Sequence, residues 1–198
     1  MATSKNFRGL QPSRMRGGAY NTSGMNEYGV KAAHATAIFQ GDLVKIVSGK
    51  VHKVSAATDI VAGVFMGANW TDPNTKQPTF NNYFPAGQVH HGQGEAKALV
   101  IDDPNATFEI QAGATVADTQ LHLNMDVSLG AGSTITGMSG FSLKGGSGSV
   151  QAKTLRLLRR STLPGEAATD AFPNIEVKIN QHRDHYGLGS TVSIANLA

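Results

Sequence analysis

The sequence predicts an all-β protein, an antiparallel β-barrel or sandwich with an extended N-terminal arm. Charged residues make up only 16% of the 198-residue chain, against about 25% in an average globular domain. Long solvated helices, which use Lys and Glu on their outer faces, are therefore not supported. Across 36–67, Gly41, Gly49 and Gly63 interrupt every candidate helical window. Between these breakers, short β-branched runs alternate apolar with polar residues, as in a meander of half-buried strands.

Residues 1–28 are read as the arm. Apolar and aromatic positions there (Phe7, Leu10, Met15, Tyr20, Met25, Tyr28) follow neither a helical nor a strand period, and Gly9, Pro12, Gly17, Gly18 and Gly24 interrupt them. Such a segment buries too little surface to offset its own ordering entropy, so it is expected to order against another surface. Its charge is also distinctive. Lys5, Arg8, Arg14 and Arg16 stand against Glu27 alone, whereas residues 29–198 carry equal numbers of acidic and basic side chains. The whole net charge of +3 resides in the arm.

The domain, 29–198, begins with "DLVKIV", a turn at Ser48-Gly49-Lys50, and "VHKV", then the nearly continuous apolar run "IVAGVFMG" at 60–67. These are three strands joined by turns. Residues 68–94 are expected as a long loop, rich in Asn and Pro yet carrying Trp70, Phe80, Tyr83, Phe84, His90 and His91. Strands are expected at 96–103 and 107–113, separated by Pro104-Asn105-Ala106. In "LHLNMDVSLG", Leu121, Leu123, Met125 and Val127 alternate with polar residues and predict one strand. A second Gly- and Ser-rich loop covers 130–150. Residues 151–161 fit a strand or a short helix, with the flanking residues favouring strand. "IEVKINQH" at 175–182 alternates again. Any helix is short, within 114–120 or 165–171.

Several constellations bear on chemistry. In "NQHRDHYG" at 180–187, His182, Asp184 and His185 would suit a metal-dependent hydrolase only if a turn at Arg183 brings them together, because the histidines diverge on an extended strand. The preceding alternation favours a polar strand end, with Arg183 and Asp184 available for an ion pair or a subunit contact. Asp102-Asp103 before Pro104-Asn105 has the chemistry of a turn. "GMSGF" at 137–141 places its last glycine one position early for a nucleophile elbow. Lysine is missing from the Gly-Ser runs that would otherwise suggest a phosphate loop. With no cysteine, thiolate chemistry and disulfides are excluded. No run of about 18 apolar residues is present to span a membrane, and the N-terminus lacks the apolar core of a signal peptide. The lysine and arginines of 153–160 lack interleaved aromatic residues, which weighs against nucleic acid as a partner.

From about 40 to 185 the order of features resembles the capsid decoration, or cement, proteins of tailed bacteriophages. The likeness runs through "GDLVKIVSGKVHKVSAATDIVAGVFMG", the Trp70-Thr71-Asp72-Pro73 loop, "ALVIDDPNATFEIQAG", "LHLNMDVSLGAGSTITGMSG" and "IEVKINQH". The resemblance implies a non-enzymatic virion protein with no cofactor, made in the host cytoplasm and bound to the outer surface of an icosahedral capsid. It also implies a homotrimer whose partner is the major capsid protein. No family binding residue is carried over by position. The arm supplies the expected contacts: Lys5, Arg8, Arg14 and Arg16 for electrostatic docking, and Phe7, Tyr20 and Tyr28 as apolar anchors. Another phage structural role, in the tail or head–tail connection, is the nearest alternative.

Overall fold

The computed structural model describes residues 5–15, 24–92, 95–146, 148–151, 153–161 and 170–184. Within them the chain is almost entirely β-structure, as the sequence predicts. A closed five-stranded barrel forms one half. It comprises β2 (Met25–Val30), β4 (Leu43–Val47), β5 (Lys50–Lys53), β6 (Gly63–Thr71) and β9 (Ala96–Ile101). Around the ring the order is β4, β5, β2, β9, β6 and back to β4. Every pairing is antiparallel except β2 with β5, which meet in parallel at Val30 and Val51. The strand β7 (Pro78–Asn81) extends the sheet outward from β6.

Local chemistry sets this ring. Ser48 and Gly49, at φ of 50° and 75°, make the two-residue turn between β4 and β5. Positive φ at both central positions is the geometry whose twist matches the flanking strands. Closure depends on Gly63. A Cβ there would lie 2.3 Å from the Ile101 carbonyl oxygen and 2.7 Å from a Val100 methyl, so only glycine lets β6 pass so close to β9.

The second half is a five-stranded antiparallel sheet. Its order is β1 (Gln11–Met15), β10 (Ala106–Gln111), β15 (Asn174–Ile179), β14 (Leu155–Arg160) and β11 (Asn124–Met125). Two short ribbons complete the fold: β3 (Ile38–Phe39) with β8 (Tyr83–Phe84), and β12 (Val127–Ser128) with β13 (Ser142–Leu143). A single 3₁₀ turn covers Asp118–Gln120, within the 114–120 window expected for a short helix. The other window, 165–171, lies almost wholly outside the described residues.

Two apolar cores follow from the alternation. Val30, Val44, Val51, Phe65, Ala98 and Val100 fill the barrel, and Ile38, Trp70 and Phe84 close it. Leu43, Val54, Val61 and Val64 point outward and pack on Phe108, Ile110, Leu157, Ile175 and Val177 of the second sheet. Neighbours such as Val64 and Phe65 therefore enter different cores, which explains why β6 reads as a continuous apolar run. Full burial of one such side chain is worth about 1.5–3 kcal/mol.

Three expectations change. Residues 11–15 and 25–30 are strands, β1 at the edge of the second sheet and β2 inside the barrel ring. Leu10 is fully buried. The stretch 121–130 is not one strand, because His122 takes φ +67° and the chain changes partners at Asp126. Met125 pairs with Leu155 and Val127 with Leu143, in different sheets. The 68–94 stretch also holds the end of β6 together with β7 and β8.

Candidate interaction site

The arm residues singled out by charge and aromaticity are largely engaged with the body of the protein. Lys5 Nζ sits 5.0 Å above the Phe172 ring. Arg14 Nε donates to Glu176 Oε1 at 2.7 Å. Phe7 is half-buried and Arg8 exposed, while the Arg8 carbonyl accepts a bond from the Gln11 amide at 2.7 Å. Arg16 and Tyr20 lie outside the described residues.

Glu176 is the centre of this arm attachment. The carboxylate is 4% exposed, receives Arg14 and Arg159 on its two oxygens, and accepts the Thr107 hydroxyl at 2.8 Å. Burial pushes its carboxyl pKa up. Donation from Arg159, Arg14 and Thr107 outweighs that and brings it below the ordinary value.

Tyr28 belongs to a second cluster, built where the barrel meets the end of β15. Its hydroxyl donates to Asp102, and the Asn26 amide donates to both Asp102 oxygens at 2.9 Å. The Arg183 guanidinium lies 5.8 Å from the Tyr28 ring centroid and grips Asp184 through two bonds of 3.0 and 3.2 Å. Burial, followed by the Asp102 bond, raises the Tyr28 pKa; Arg183 lowers that of Asp184. The Arg183 backbone amide donates to the Val61 carbonyl at 2.8 Å. Residues 180–184 are thus a polar strand end with a local ion pair, stitched to the barrel.

Of the hydrolase constellation, His182 and Asp184 are described. His182 is buried, and its Nδ1 accepts the Asp184 backbone amide at 3.1 Å. His185 lies outside the described residues. Among the described residues no group of three His, Asp or Glu side chains is placed to hold a metal. Asp103 plays the turn role its sequence suggested, accepting the Asn105 amide at 2.6 Å.

Two features were not singled out from sequence. Asn82 donates to the Thr136 carbonyl at 3.1 Å, tying the end of β7 to the 133–137 turn. Two large apolar side chains flank this tie: Phe80, 62% exposed, and Ile135, 96% exposed. Phe80 is one of the aromatics of the 68–94 stretch, whereas nothing in the sequence marks Ile135, because burial cannot be read from residue type alone. The other feature is a histidine pair, His34 and His52, with ring nitrogens 3.2 Å apart. These residues belong to no motif and meet only because the segment after β2 folds over the β4–β5 hairpin.

Comparison with known proteins finds no matching family model, no matching curated protein and no matching solved structure, so function is argued from the chain's own residues.

Proposed function

We propose that this chain is a structural protein of a tailed-bacteriophage virion. In this reading it binds the outer surface of the icosahedral capsid as a homotrimer and ties neighbouring major capsid subunits together. The mechanism is added buried surface across the joints between capsomers, so that expansion or rupture must first break those contacts. Many copies on one shell make modest individual contacts effective.

The observation that carries the reading is two exposed large apolar side chains, Phe80 and Ile135, on segments that the Asn82–Thr136 bond joins. Exposed apolar groups on joined segments suit a surface that is covered in an assembly. The sequence resemblance and the basic N-terminal segment support the same partner. Arg8, exposed beside the buried Leu10, is the described arm cation best placed to meet an acidic surface.

The test is direct: purified protein is mixed with undecorated shells and imaged. Ordered density on the outer surface at symmetry-related positions is the expected result. Bare shells at saturating protein would overturn the proposal.

A further inference from the structure

A cleft of about 430 Å³ opens on the outside of the barrel, where residues 31–36 roof the β4–β5 hairpin. Every titratable side chain lining it is basic: Lys31, Lys45, Lys53, His34 and His52. Lys45 and His52 are cross-strand partners on the outer face of the hairpin. The roof is fixed in place by backbone bonds from Ala33 to the Gln88 carbonyl and from Gly87 to the His34 carbonyl, both 2.8 Å.

Two carboxylates pair with lysines of the cleft. Asp59 holds Lys45 at 2.9 Å from the 55–59 turn, and the fully buried Asp42 holds Lys53 at 2.9 Å from below. Neither lines the cleft. Lys31 has no carboxylate partner among the described residues. Three ammonium groups thus stand against two carboxylates, leaving an excess of one positive charge.

The imidazoles add directed hydrogen-bonding groups. His34 is 6% exposed. Its Nδ1 lies 2.7 Å from the Thr36 carbonyl, which can only accept, and 3.3 Å from the Thr36 backbone amide, and the shorter contact favours the tautomer with the hydrogen on Nδ1. His34 Nε2 must then accept, and the His52 Nδ1–H donates to it. That relay orients the His52 ring and leaves its Nε2 as the atom that gains a hydrogen when the ring is protonated. The cationic form is disfavoured by burial first, then by His34, Lys45 and Lys31. A bound dianion would oppose these influences by attracting the cationic form.

We propose that this cleft binds a phosphate group, with Lys31 and Lys45 supplying charge and protonated His52 a directed donor. A dianion meets the excess charge and offers acceptors to these donors. The volume exceeds that of a lone phosphate, leaving room for the organic part of a small phosphomonoester. This reading stands apart from capsid binding, and neither depends on the other.

The full chain is titrated with inorganic phosphate and, separately, with ribose 5-phosphate, at fixed ionic strength maintained with chloride. The histidine ring signals are followed by NMR. Saturable shifts of His34 and His52, with His52 titrating at higher pH in the presence of ligand, are expected. Lys31→Gln, an exposed substitution, should weaken binding about fivefold or more, while Lys144→Gln should leave it unchanged. Tighter binding of ribose 5-phosphate identifies a phosphomonoester site; equal binding identifies a site for free phosphate. Absence of saturation with both ligands, or equal weakening by the two lysine substitutions, overturns the proposal.

Discussion

Arg14 and Glu176, 162 positions apart in the chain, meet through a 2.7 Å charge-assisted hydrogen bond. The contact fastens the N-terminal edge strand β1 across β10 to β15, the central strand of the second sheet. Arg159 approaches the same carboxylate from the other side. One buried carboxylate is thereby shared by two arginines, engaging Arg14, which charge alone would assign to an external partner.

Glu176→Ala should therefore destabilise the protein by about 1–3 kcal/mol, since the Thr107 hydroxyl loses its acceptor while the two half-exposed guanidinium groups turn to solvent. Urea unfolding measures the loss, and amide exchange across 11–15 should accelerate more than exchange in the barrel. No change in either would show that β1 is held by backbone pairing alone.

The same group sets an acid limit. Its folded pKa lies below the ordinary 4.5, so the unfolded chain binds the proton more readily. The stabilisation is then complete above about pH 4.5 and lost as pH falls through the depressed folded value. Glu176→Gln should flatten the fall in stability below pH 4.5, which thermal melts from pH 3 to 6 can follow.

Asp42 is the corresponding anchor within the barrel half. It pairs with Lys53, accepts the Ser139 hydroxyl at 2.6 Å and accepts the Phe39 backbone amide at 2.8 Å. Asp42→Ala leaves three donors without an acceptor, one of them a largely buried ammonium, and is expected to cost about 3–5 kcal/mol. Denaturant midpoints provide the check.

Gly63→Ala tests barrel closure. The added methyl must displace the Ile101 backbone, so a loss of about 1–3 kcal/mol is expected from overpacking. A crystal structure of the variant should show the β6–β9 spacing widened there. An unchanged melting temperature would mean that the ring tolerates opening.

Ile135→Asp and Phe80→Ser separate binding from folding. Both side chains are exposed, so stability should move by no more than about 0.5 kcal/mol. Binding to undecorated shells should drop at least about tenfold for the double variant, read by cosedimentation. Undiminished binding would move the interface elsewhere.

Much of the fold is legible where alternation and turn chemistry coincide. Val51 and Lys53, Phe108 and Ile110, and Ile175 and Val177 obey the strand period, and Ser48-Gly49 marks its turn. The strand β2 escaped that reading for a physical reason: only Val30 enters the core fully, and the strand is held by backbone pairing to β9. The edge strand β1 has a bulge between Pro12 and Arg14 and a polar outer face, which erase its period. At 180–184, residue types and spacing correctly suggested a strand end and an ion pair. They could not reveal that Tyr28 and Asp102 come to meet it. His34 and His52 were invisible as a pair because their proximity is created by the roof over the hairpin.

The placement of β15 has a consequence for the order in which the molecule can be made. The strand lies between β10 and β14, yet it is the last described strand to leave the ribosome. Until residue 179 has emerged, β1 and β10 have no neighbour on their inner side, and β14 with β11 is a separate fragment. The barrel can close once residue 101 is available, because all five of its strands lie upstream. Synthesis therefore proceeds through a stage with one finished half and one open sheet. Pairings of such long sequence separation fold slowly, and the exposed inner edges are vulnerable to aggregation during that interval.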